Sequence, residues 1–198
     1  MIFSEKMKTI FVHIPKTGGT SIQSALLSID DLPKDLKVRT KHETLEQFCG
    51  RTNIDVSGYT ILAVTRHPCE RFTSFFHYLV KFKASGGKDI VKLGTADQLV
   101  KSLQAKDAAL MRTHSIKPQT DFLTFKGKMP DSLRFDILRF ENLEDEFNTF
   151  QNRLGLNARL PKLNVSRKHN YRSELSDDSL AFLREFYRED FETFGYEL

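Results

Sequence analysis

Apolar positions along this chain fall into two rhythms. Nearly continuous apolar or β-branched runs at Thr9 to Ile14, Tyr59 to Thr65 and Phe135 to Phe140 predict buried strands. Elsewhere apolar residues recur every three or four positions, which predicts helices. After Pro68, the residues Phe72, Phe75, Phe76, Leu79 and Val80 form one stripe, while Glu70, Ser74, His77 and Lys81 fall on another face. A second helix is expected from Asn142, with Glu144, Asp145 and Glu146 in its first turn, Leu143, Phe147, Phe150 and Leu154 on one side and Gly155 at its end. A third begins at Ser176, Asp177 and Asp178 and runs toward Arg188, with Leu180, Leu183 and Tyr187 inward. Strands alternating with helices imply an α/β fold, a three-layer α/β/α arrangement around a central parallel sheet whose ligands sit beyond the C-terminal strand ends. The stretch Ala84 to Gly94, with three glycines and alternating charges, reads as a surface loop.

The first strand runs straight into Pro15-Lys16-Thr17-Gly18-Gly19-Thr20-Ser21 and then into a helix whose apolar spacing is Ile22, Ala25, Leu26 and Ile29. Glycines let such a turn aim its N–H groups at one point, and the helix adds the positive end of its dipole. Lys16 brings a full charge, and Thr17, Thr20 and Ser21 bring hydroxyl donors. The result is a P-loop-like phosphate cradle. It departs from the nucleotide triphosphatase pattern, in which the lysine follows the last glycine.

Composition narrows the reading. A chain of 198 residues that is 39% hydrophobic suits one folded domain spanning 1–198. A formal net charge of +4 and a pI near 9.0 favour anionic ligands, but the basic residues are interspersed with 26 acidic ones, so no nucleic-acid footprint is expected. Cys49 and Cys69 sit in no CxxC and make neither a disulfide framework nor a zinc site, and no metal is called for. No apolar run is long enough to span a bilayer, and the first residues lack the layout of a signal peptide. The expectation is a cytoplasmic, bacterial-type soluble protein, with the Golgi lumen as its place only if this is a piece cut from an anchored chain.

A second strand end repeats the anion chemistry of the first: Ile61 to Thr65 leads into Arg66-His67-Pro68, with Arg71 and Ser74 following on the next helix. Two phosphate sites suggest a nucleotide phosphorylated at both ends of its ribose. On these residues the chain resembles the 3′-phosphoadenylyl-sulfate-dependent sulfotransferases, in particular their carbohydrate O-sulfotransferase branch. Pro15 to Ser21 is similar to the family's 5′-phosphosulfate loop and Arg66 to Ser74 to its 3′-phosphate motif; His114 to Phe122, Phe140 to Leu143, Leu163 to Tyr171 and Asp190 to Tyr196 resemble later blocks.

The resemblance implies that Lys16, Thr17, Gly18, Gly19, Thr20 and Ser21 bind the 5′-phosphosulfate and that Lys16 stabilises the leaving charge. Arg66 and Ser74 would hold the 3′-phosphate. Asn164 and Ser166, in Asn164 to Lys168, fall where such enzymes close over the nucleotide. His42 stands where the glycan 2-O-sulfotransferases have a catalytic histidine, with Glu43 and His114 as competitors. Sulfuryl transfer to an alcohol needs a base near the acceptor hydroxyl and donors where negative charge builds. The implied partner is a hydroxyl-bearing acceptor, a glycan or small glycoside foremost. The alternatives are a P-loop phosphotransferase using ATP and magnesium, and a nucleotide-binding protein without catalysis. His13 and His67 read as structural or ligand-adjacent, Arg112 and Gln119 as packing residues before acceptor contacts, and Tyr78 and Tyr171 as available for stacking.

Overall fold

The computed structural model describes residues 1–29, 41–87, 94–163 and 170–198. Along them run β1 (Ile2–Ser4), β2 (Thr9–Val12), α1 (Gly19–Leu27), α2 (Leu45–Thr52), β3 (Thr60–Thr65), α3 (Pro68–Ala84), α4 (Ala96–Gln104), α5 (Ala108–Met111), β4 (Arg134–Arg139), α6 (Leu143–Arg153), α7 (Tyr171–Glu174), α8 (Asp177–Phe186) and α9 (Arg188–Phe194). They divide into two compact units, one drawn from Met1–Arg66 and Gln119–Val165, the other from His67–Pro118 and Ser166–Leu198.

The first unit holds a four-stranded sheet in the order β1-β2-β3-β4. The predicted strands β2, β3 and β4 are parallel, with Ile10 beside Ile61 and Ile61 beside Phe135. The sequence reading misses β1, which pairs antiparallel with β2, because three residues carry no readable period. Alternation along the strands sends side chains to both faces. Ile2, Phe11, Leu62, Val64 and Leu138 join Ile22, Ala25 and Leu26 of α1 and Phe147 and Phe150 of α6 in one apolar cluster. Phe3, next to Ile2 on the opposite face, packs its ring 6.3 Å from Phe48 of α2, so the sheet carries helices on both faces.

Two expectations need correction here. β4 is not a buried strand: only Leu138 of its six residues is buried, as befits a strand with one neighbour. Leu154, expected inward on α6, is 38% exposed because the helix ends at Arg153 and the chain turns away. The end of β4 is tied to α6 by the Arg139 N–H, which donates to the Glu146 carboxylate at 2.6 Å.

In the second unit Phe72, Phe75, Phe76 and Leu79 of α3 meet Leu99, Val100 and Leu103 of α4, Leu183 of α8, and Tyr187 and Phe191 in a separate core. Val80, placed in this stripe by its spacing, lies at the stripe's margin and is 43% exposed. Arg71, 1% exposed, donates to the carbonyls of Ser115 (3.2 Å) and Lys117 (2.6 Å) and lies over the Tyr187 ring, whose hydroxyl donates to the Ile116 carbonyl (2.9 Å). The two terminal nitrogens of Arg71 are spent on these carbonyls while its buried Nε has no hydrogen-bond partner among the described residues, so Arg71 acts as a clamp on residues 115–117. Among the described residues no helix is long and apolar enough to cross a membrane.

Burial ranks the cost of substitution. Phe147→Ala, at a fully buried ring between α6 and the sheet, is expected to lower unfolding stability by about 3–5 kcal/mol. Val80→Ser is expected to change it by less than about 0.5 kcal/mol. Urea midpoints at constant slope measure both.

Candidate active site

The turn that joins β2 to α1 starts earlier than the sequence suggests. His13 and Ile14 have already left the strand ladder, and the Ile14 N–H donates to the Val12 carbonyl at 3.2 Å. Lys16 (φ 68°) and Gly18 (φ 80°) then take left-handed backbone conformations, and α1 begins at Gly19. No side chain caps the start of α1 and no acidic residue lies in its first turn, so the positive end of its dipole is not offset, although the Ser21 N–H already donates to the Gly18 carbonyl at 2.9 Å.

Close approach explains both glycines. A Cβ on Gly18 would stand 2.8 Å from the Phe140 ring, and one on Gly19 would stand 2.5 Å from the His13 ring. The turn is thus threaded between two rings with no room for a side chain. Thr17 is fully buried, and its hydroxyl donates to the Ile14 carbonyl (3.0 Å), so this side chain braces the turn. Thr20 is half-buried and accepts from the Lys41 ammonium at 3.5 Å; the Ser21 hydroxyl accepts from the Leu163 N–H at 3.3 Å.

Lys16 is half-buried, and its pKa falls from 10.5 to about 8, first through burial and then through the charge of Arg66. Two cations are therefore held close enough to repel in the absence of an anion. Arg66, at the end of β3, has its guanidinium carbon over the Phe140 ring, 4.3 Å from the centroid. Its backbone is gripped by Gln119, whose amide accepts from the Arg66 N–H and donates to the Arg66 carbonyl, both at 2.9 Å. Gln119 is fully buried, which fits the packing role read from the sequence. Phe140, read from the sequence only as a strand end and the start of a later block, has a role no spacing signal marks: one ring limits Gly18 and supports Arg66.

His42 lies just ahead of α2, whose start is fixed by a capping box between Thr44 and Gln47. Its Nδ1 is 3.0 Å from the His13 carbonyl. A carbonyl only accepts, so Nδ1 carries the proton and Nε2 is the basic nitrogen of the neutral ring. The His13 and His42 rings meet edge-on, 4.7 Å between centroids. His13 is 3% exposed, its Nδ1 donates to the Gln23 amide oxygen at 3.2 Å, and burial, with His42 and Lys41 nearby, pushes its pKa down to about 3.

The competitors stand differently. Glu43 is 3% exposed, and both its oxygens accept from Arg51, at 2.7 and 3.1 Å, so it is committed to a bidentate ion pair. His114 is exposed and belongs to the second unit. In that same unit Ser74 is half-buried on α3, Tyr78 stacks on Phe82, Tyr171 on His67, and Arg112 donates to the Ala108 carbonyl. Asn164 and Ser166 lie outside the described residues, as does part of the Ala84 to Gly94 loop.

The sequence as a whole settles the family, since the family model for sulfotransferases matches residues 1–197. The chain belongs to the sulfotransferase family. No curated protein and no solved structure matches it. Membership makes it a sulfotransferase enzyme of mixed α/β fold, with 3′-phosphoadenylyl sulfate as donor and a hydroxyl group as acceptor. The donor suits the residues present: the side-chain-free cradle at Gly18 and Gly19, the uncapped start of α1, and the cations Lys16 and Arg66 all answer to phosphate and sulfate oxygens.

Lys16 links this site to pH. Its depressed pKa means that the unfolded chain binds more protons between about pH 8 and 10.5, so this group makes stability rise with pH across that window. Lys16→Met is expected to raise the melting temperature at pH 7 while removing anion binding. Gly19→Ala is expected to lower stability by about 1–3 kcal/mol, because its methyl group must displace the His13 ring. Thermal melts at several pH values, with and without adenosine 3′,5′-bisphosphate, report both.

Proposed function

We propose that this sulfotransferase acts on a carbohydrate hydroxyl, with His42 as general base, Lys16 and the Gly18–Ser21 turn on the 5′-phosphosulfate, and Arg66 on the 3′-phosphate. The observation that carries the reading is the tautomer of His42. With Nδ1–H fixed on the His13 carbonyl, Nε2 is the nitrogen that takes a proton, and this histidine sits beside the same segment that builds the phosphate turn.

Each residue then has one task. The donor supplies a sulfuryl group already activated on phosphate. His42 Nε2 accepts the acceptor hydroxyl's proton as the new oxygen–sulfur bond forms, and Nδ1 stays bonded to the His13 carbonyl, so the imidazolium is stabilised where it arises. Lys16 and the N–H groups at the start of α1 stand where negative charge grows on the departing phosphate oxygen, the place at which fixed donors lower a barrier most. Arg66, held over Phe140 and by Gln119 at its backbone, is preorganised to meet a phosphate. Thr17 contributes its main chain only. Ser74, Asn164 and Ser166 keep the nucleotide roles that the motif resemblance gives them, and the glycan acceptor rests on that same resemblance.

Calorimetric titration with adenosine 3′,5′-bisphosphate is expected to show micromolar or tighter binding, preferred over ATP with magnesium and weakened about 10- to 100-fold by Arg66→Ala. Preference for ATP would return the turn to phosphotransfer. His42→Ala is expected to reduce kcat by about 10²–10⁴-fold with bisphosphate affinity retained; bisphosphate binding with no transfer to any saccharide hydroxyl would leave a non-catalytic binder.

A further inference from the structure

The described residues hold one feature for which phosphate binding and proton transfer give no account: a second histidine, fully enclosed, wedged between the phosphate turn and the base. His13 touches three things at once. Its carbonyl accepts from His42 Nδ1 at 3.0 Å, its ring meets the His42 ring edge-on at 4.7 Å, and the same ring stands where a Gly19 side chain would have to go. The ring's own orientation is set from α1, where the half-buried Gln23 places its amide oxygen 3.2 Å from His13 Nδ1.

A histidine in an apolar strand end is usually replaceable by an apolar residue of similar size. Here it carries a polar bond at one edge and the base at another, and its neutrality matters. A ring that burial holds neutral places no like charge beside His42 when that residue takes up its proton. Gln23 lies one turn into the helix whose N-terminus forms the phosphate turn, so any motion of that helix reaches His42 through a single rigid ring.

We propose that Gln23 and His13 are positioning residues that couple the phosphate turn to the general base, holding His42 in the Nδ1–H tautomer and at the angle needed for transfer. This rests on the reading of His42 as the base. Effects of misplacement by a fraction of an ångström on rate are large, whereas nucleotide affinity depends on the turn itself.

The test is Gln23→Met, alone and combined with His42→Ala, measured by turnover, bisphosphate titration and ring-nitrogen NMR of the histidines. Gln23→Met is expected to lower kcat between about ten- and a hundredfold with bisphosphate affinity unchanged, to have no further effect once His42 is gone, and to shift His42 from the Nδ1–H form toward a mixture of tautomers. An unchanged kcat, a drop that persists at full size in the His42→Ala background, or an affinity loss matching the rate loss would overturn the coupling. If His42→Ala alone keeps the parent rate, the base assignment falls and the proposal with it, and the tautomer spectra still show whether Gln23 orients His42. His13→Asn gives a second route should Gln23→Met fail to fold, because its amide still donates to Gln23 while the ring against His42 is lost; the same pattern is expected.

Discussion

The structure depends on a steric constraint at one turn. Between β2 and α1 the backbone passes between the His13 ring and the Phe140 ring with less clearance than a methyl group needs. That squeeze requires glycine at 18 and 19. The same two rings then serve the neighbouring chemistry: Phe140 supports the Arg66 guanidinium and His13 supports His42. The cation over Phe140 and the histidine against His13 thus share one packing arrangement with the turn.

Electrostatics works against that arrangement when no anion is near. Burial, and then the charge of Arg66, weigh against the Lys16 ammonium. Natural sites of this kind exchange stability for function, because the group that is uncomfortable in the empty protein is the one that gains most from a doubly charged ligand.

Much of this was legible from the residues, and the limits have physical causes. The parallel strands, the turn and the N-terminus of α1 were readable because β-branched runs, glycines and helical spacing are local signals. The family was readable from the two anion motifs together. By contrast β1 is too short to show a period, β4 looks buried by composition but has one neighbouring strand among the described residues, and Val80 and Leu154 sit at the margins of stripes whose centres are correct. Around the turn, Arg66 lies near enough to Lys16 to lower its pKa and shares the Phe140 ring with Gly18. The inward turn of Thr17, the ion pair that occupies Glu43, and the grip of Gln119 on Arg66 depend on contacts between residues far apart in sequence or on rotamers, which no spacing encodes.

The sheet's far side has its own consequence. β4 ends the described sheet with an outer row of backbone groups, and its sequence places Arg134, Asp136 and Arg139 among the apolar residues. Arg153 of α6 reaches back to pair with Asp136, so charge is anchored along this edge. Charged side chains on an outermost strand oppose the docking of another strand alongside it. In a chain rich in phenylalanine, the polarity of β4 that looks like a weak strand signal therefore disfavours strand addition at this edge of the described sheet.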